Sequence, residues 1–143
     1  MTDGETEALV ARYRAAVSTI VPGADVHLSG STLLGAFGGH DVDLVVVGAD
    51  VAAAAQRLRT AFPPLHEDEW RDDWAAFREP GPPQVDIVVT VAGTRGDAHH
   101  RRAWELLLRD ADLRDEYLRA KAAGMSGEQK RVFFERVVAR LED

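Results

Sequence analysis

Asp41-Val42-Asp43-Leu44-Val45-Val46-Val47 is a β-branched, apolar stretch that carries two acids at alternate positions. Such a run reads as a central, buried strand. Alternate side chains of a strand share a face, so Asp41 and Asp43 point the same way, about 7 Å apart along the backbone. Carboxylates inside an apolar strand are costly unless something neutralises them. No Lys or Arg lies between Arg14 and Arg57, so the neighbouring sequence offers no cation.

Upstream, Val26-His27-Leu28 is a short strand signal that runs into Ser29-Gly30-Ser31-Thr32, where a short helix is expected. Before it, Leu9, Tyr13, Ala16, Val17 and Ile20 recur at helical spacing from Glu5 to about Ile20, and Pro22-Gly23 ends that helix. Downstream, Asp50 caps a helix from Val51 to about Phe62, stopped by Pro63-Pro64. The span 65–79 admits more than one reading, a strand over Trp74–Arg78 among them. Gly81-Pro82-Pro83 is a turn, and Val85 to Val91 repeats the buried-strand pattern with Asp86 inside it. From Asp97 onward the pattern is helical, with breaks near Asp110–Asp112 and at Gly124 to Gly127. The order is α/β (α+β) with a C-terminal helical tail. We read residues 1–143 as a single domain, 1–96 an α/β catalytic core and 97–143 C-terminal helices.

Composition sets the class. A chain of 143 residues with 45% hydrophobic content suits one globular domain. No apolar run approaches the roughly 18 residues of a membrane span. The start, MTDGETEALV, lacks the basic and apolar regions of a signal peptide, and the absence of cysteine excludes disulfides and thiolate metal sites. The expectation is a cytoplasmic protein without a membrane partner. Residues 1–96 hold 14 acids against 7 Lys/Arg, whereas 97–143 hold 10 of each. So acidic a core is a poor binder of nucleic acid, and a polyanionic nucleotide there would need metal ions and arginines lent by the tail.

Three features belong together. Gly30-Ser31 follows a strand, Asp41 and Asp43 come after nine intervening residues, and Asp86 lies some forty residues on. Hard carboxylate oxygens suit Mg2+, which keeps waters and accepts phosphate oxygens. Three carboxylates would hold two such ions at the roughly 3.5–4 Å spacing used for in-line phosphoryl displacement. A glycine lets the backbone approach a phosphate, and the Ser31 hydroxyl and nearby N–H groups would bind its oxygens.

Leu28-Ser29-Gly30-Ser31, Asp41-Val42-Asp43-Leu44 and Val85-Asp86-Ile87 resemble the signature of the nucleotidyltransferase superfamily related to DNA polymerase beta. The resemblance implies a minimal nucleotidyltransferase fold, a small mixed sheet flanked by helices. It gives Gly30 and Ser31 the nucleotide phosphates and Asp41 and Asp43 both metals. Asp86 would hold the catalytic metal and help activate the acceptor. The cofactor is then Mg2+ as two ions, with Mn2+ as the substitute, and the ligand a nucleoside triphosphate with an unidentified acceptor.

Trp104 to Asp110, Tyr117-Leu118-Arg119-Ala120-Lys121 and Glu128 to Phe134 resemble the C-terminal helices of the GrpB-like family, a branch of that superfamily. GrpB-like members usually carry Lys-Pro and one Asp where this chain has His40-Asp41-Val42-Asp43, and often His where Asp86 stands. The fuller acid set points to catalysis, the transfer of a nucleoside monophosphate to a hydroxyl or amine. Two alternatives stay open: a catalytically silent module binding a nucleotide or a protein, and a minimal nucleotidyltransferase antitoxin that modifies a partner toxin.

The remaining candidates have plainer readings. His40 reads as an ordinary loop histidine, with contact to a phosphate or the acceptor as the alternative. His99-His100 read as surface residues, since neighbours on a helix diverge by about 100°. Arg101, Arg102, Arg109 and Lys121 are the tail candidates for reaching phosphates, although a solvated helix face accounts better for any single one of them. Glu67 to Asp73 holds five acids in seven residues, a solvated edge unless it lines the cleft for a cationic acceptor. Trp70, Trp74 and Trp104 read as core or cleft wall.

Overall fold

The protein is described by a computed structural model covering residues 2–34 and 41–142. His40 lies outside the described residues. Thr2 caps helix α1 (Asp3–Ile20) by accepting from the Glu5 N–H. Strand β1 (Asp25–Ser29) leads directly into the short α2 (Gly30–Leu33). Strand β2 (Asp41–Val47) is followed by α3 (Val51–Leu58), whose cap is the expected Asp50.

Helix α3 ends before the prolines. Arg59 closes its last turn and Phe62 folds back into the core. Pro63–Leu65 then runs along strand β3 (Trp74–Glu79), with the Leu65 N–H donating to the Ala76 carbonyl and the Arg78 N–H to that of Pro63. This extended segment, which prolines favour, covers part of an otherwise open sheet edge. Strand β4 (Gln84–Thr90) returns beside β3.

The sheet order is β1-β2-β4-β3, with β2 and β4 parallel and the other two pairs antiparallel. The sheet is thus mixed, as expected. Period-two alternation gives it two unlike faces. Val42, Leu44, Val46, Phe77, Val85, Ile87 and Val89 pack against Leu9, Tyr13 and Val17 of α1 and Val51 and Leu58 of α3. The opposite face carries Asp41, Asp43 and Val45 on β2 and Asp86 and Val88 on β4.

The tail runs over this second face. Helix α4 (Arg95–Asp97) passes into a π-helical stretch, Ala98–Arg102, and then α5 (Ala103–Arg109). Asp110 both ends α5 and caps α6 (Ala111–Ala122). Ser126 and Gln129 form a capping box at the start of α7 (Gly127–Leu141). Trp104, Leu107, Leu113, Tyr117, Phe133, Phe134 and Val137 make a second hydrophobic cluster, against which Leu33 and Leu34 also pack. Among the described residues no helix is long and apolar enough to cross a membrane.

Candidate active site

Strand register assembles the site. Ser29 stands opposite Asp43, Asp43 beside Asp86, and Asp86 opposite Arg78, so one row of the sheet carries hydroxyl, carboxylate, carboxylate and guanidinium. Neighbouring strands lie about 4.8 Å apart, which brings residues distant in sequence into contact range. Asp41 lies two positions before Asp43 and is exposed. The row opens onto a cavity of about 580 Å3 whose walls include Gly30, His100, Trp104 and Lys130.

Gly30 turns the chain from β1 into α2 with φ of +68°, a conformation glycine adopts without penalty. It is buried, and a β-carbon at this position would collide with the Asp43 carboxylate. Gly30, Ser31 and Asp43 share a smaller adjoining cavity with Lys121 and Lys130. Of the four tail cations expected near phosphate, Lys121 is thus the one beside the Gly-Ser turn. Arg101 instead clamps the fully buried Asp97 at 2.5 and 2.7 Å and faces Glu105 at 3.5 Å. Burial pushes the Asp97 carboxyl up, but hydrogen bonds from Arg101 and the Gly93 N–H outweigh it and hold the group below its ordinary value. Arg102 lines a separate cavity beside Gly93 and Leu141, and Arg109 is exposed.

Burial foremost, and then the charge of Asp86, pushes the Asp43 carboxyl up to about 6; Lys130 opposes this shift and Asp41 adds to it. Asp86 is differently placed. Arg78 grips it with both prongs, Nε to Oδ1 at 2.8 Å and Nη2 to Oδ2 at 3.0 Å, and Gln84 Nε2 adds a weak contact at 3.4 Å. The lack of a nearby basic residue in the β2 sequence therefore misjudged the electrostatics. Cross-strand pairing supplies Arg78 and helix packing supplies Lys130.

His100 is also corrected. It is half-buried, lines the cavity, and accepts from the Trp74 Nε1–H at 3.3 Å. Its backbone carbonyl accepts from the Ser29 hydroxyl, which ties the π-helical stretch to the carboxylate row. Burial, reinforced by His99 and Lys130, pushes the imidazole down to about 4 and keeps it neutral. Lys130 was missed, yet it precedes Phe133 and Phe134 by three and four residues on α7, the spacing that puts side chains on one helical face. The acidic run 67–73 does not line this cavity. Trp70 belongs to the first core and donates to the Leu65 carbonyl. Trp104 stands at the cleft wall, and Trp74 supports it indirectly by donating to His100.

A divalent cation suits part of this donor set. Asp43 is a carboxylate short of positive charge, and Asp41 shares its strand face. The oxygens of Asp86 are already engaged, and among the described residues no group of three or more His, Asp or Glu side chains is gathered to hold a metal ion.

The mixed sheet thus carries carboxylates on adjacent parallel strands with a Gly-Ser turn beside them. The chain belongs to the nucleotidyltransferase domain family, whose model matches residues 10–130. It is 35% identical over 100 residues to a UPF0157 protein of Deinococcus radiodurans, an alignment covering 69% of this chain and 50% of that protein. The chain thus spans half the length of that curated relative. Among solved structures it is similar to a cytoplasmic RNA terminal U-transferase, at 22% identity and TM-score 0.47 over 62% of this chain and 29% of that one. It is also similar to the polymerase core of TRAMP, an RNA surveillance complex, at 18% identity and TM-score 0.46 over 96% and 49%. A third likeness is to Cid1 in complex with the UTP analogue UMPNPP, at 16% identity and TM-score 0.43 over 85% and 41%.

Proposed function

We propose that this chain is a metal-dependent nucleotidyltransferase that moves a nucleoside monophosphate from a nucleoside triphosphate to an acceptor hydroxyl or amine. The observation that carries this reading is the Asp43–Asp86 row on the floor of a cavity bordered by the Gly30-Ser31 turn and Lys130. Gly30 and Ser31 approach the triphosphate, with Lys121 and Lys130 beside them as counter-charges. The acceptor oxygen or nitrogen attacks the α-phosphorus. The bond from that phosphorus to its bridging oxygen breaks, pyrophosphate leaves, and the acceptor's proton passes to a site carboxylate or to water. Mg2+, or Mn2+ in its place, would be held by Asp41 and Asp43, with Asp86 needed for a second ion, and would neutralise charge on the phosphate oxygens. The protein's own part is positioning and fixed charge. The acidic balance of residues 1–96 argues against a nucleic-acid acceptor, and the absence of cysteine suits the cytoplasm. The tail helices carry the narrower GrpB-like reading.

The pairing of Arg78 with Asp86 favours a second reading, a catalytically silent nucleotide-binding module. Incubation with Mg2+, a metabolite extract and nucleoside triphosphates labelled at the α- or γ-phosphate separates the two. Transfer predicts acceptor products that keep the α label, with the γ label released only as pyrophosphate, and neither from Asp43→Asn. Acceptor products carrying the γ label contradict nucleotidyl transfer, and binding with no labelled product supports the silent module.

A further inference from the structure

Asp41, Asp43 and Asp86 stand on one face of two adjacent parallel strands, with Arg78 opposite Asp86 and Lys130 close enough to act on Asp43. Arg78 is the cation that holds Asp86 directly. It lies on β3 directly opposite Asp86, and its planar fork occupies one oxygen with Nε and the other with Nη2. Two parallel charge-assisted bonds leave the carboxylate poorly available to a metal. The Arg78 side chain is 43% exposed, so its guanidinium has solvent to swing into when displaced.

We propose that Arg78 and a second divalent cation compete for the Asp86 carboxylate. The resting site takes one ion, and it takes two when Arg78 lets go. This rests on the proposed cation site at Asp41 and Asp43 and adds a positioning residue to it. Arg78 acts through Asp86, and its release is a step that precedes the two-ion state.

Mn2+ titration, read by loss of the free-ion electron paramagnetic resonance signal, tests this without any turnover. Wild type should take up one equivalent readily and a second weakly. Arg78→Gln should bind the second equivalent at least tenfold more tightly, and Arg78→Lys, which keeps charge but loses the fork, should fall between. The gain should vanish in Arg78→Gln/Asp86→Asn. A merely structural role for Arg78 would not tighten the second equivalent, and a melting curve shows whether each variant is folded; if Arg78→Gln is not, Arg78→Lys carries the comparison. Unchanged second-ion affinity in the folded variants, or a gain that survives loss of Asp86, overturns the competition while leaving the first site intact. No Mn2+ uptake by any of the proteins removes the cation site itself and the competition with it.

Discussion

Asp43 is held in an environment that opposes its own ionisation, chiefly by burial and then by Asp86. An unfolded Asp ionises near pH 4, whereas the folded carboxyl does so at about 6. Across that window the folded chain retains a proton that the unfolded chain has released, so this group's contribution to stability is lost as pH rises through about 6. At pH 8 without divalent ions, Asp43→Asn should therefore be more stable than wild type, by about 1–3 kcal/mol in denaturant melts. A less stable variant under those conditions would show that Asp43 is structural and not electrostatically frustrated. The same ionisation predicts that Mg2+-dependent nucleotide binding rises with pH through about 6 and levels off above about 7. Gly30→Ala is expected to cost about 1–3 kcal/mol, through a positive φ and a collision with Asp43, and to abolish nucleotide binding even where the fold survives. Melting and titration of the one variant check both halves.

Strands β2 and β4 were legible because both are dense in β-branched residues, and period two alone put Asp41 and Asp43 on one face. The pairing of Asp43 with Asp86 needed the register of two strands some forty residues apart, which no local pattern encodes. For the same reason Arg78 was invisible as a partner: its role comes from lying opposite Asp86 on β3, inside a span whose sequence reads ambiguously. His100 was misread because its burial depends on the tail crossing the sheet through a π-helical stretch, held by Ser29 and Trp74. Helix α7 offers a cleaner test. Its Lys130 is exposed while Phe133 and Phe134 on the same face are buried. Lys130→Ala should weaken triphosphate binding about tenfold, roughly the 1.4 kcal/mol of one charge-assisted contact, with the melting temperature nearly unchanged. A large fall in melting temperature with unchanged affinity would assign Lys130 to packing.

Two hydrophobic clusters meet across the sheet, one made by α1, α3 and the inner strand face, the other by the tail helices. The cavity lies between the second cluster and the carboxylate row, since Trp104 and Phe134 share its lining with Asp43 and Asp86. Leu107 is fully buried in the tail cluster, so Leu107→Ala should cost about 2–5 kcal/mol. If the ligand bridges both clusters, Mg2+ and a triphosphate should recover part of that loss by mass action. Thermal melts with and without ligand read this directly, and recovery no greater than that given by Mg2+ alone would place the nucleotide elsewhere. The division of charge in the sequence, acidic to residue 96 and neutral beyond, anticipated that tail cations would face an acidic core. It did not say which ones, because Arg101 is spent on Asp97 while Lys121 and Lys130 lie at the cleft.

Under the proposed function, triphosphate and carboxylates share one metal-dependent site. Calorimetric titration of ATP, GTP, CTP and UTP, with and without Mg2+, into wild type and Asp43→Asn tests it most directly. Wild type should bind at least one triphosphate in a way that requires Mg2+ and is lost in Asp43→Asn. Equal binding by the variant, or binding indifferent to Mg2+, would contradict it.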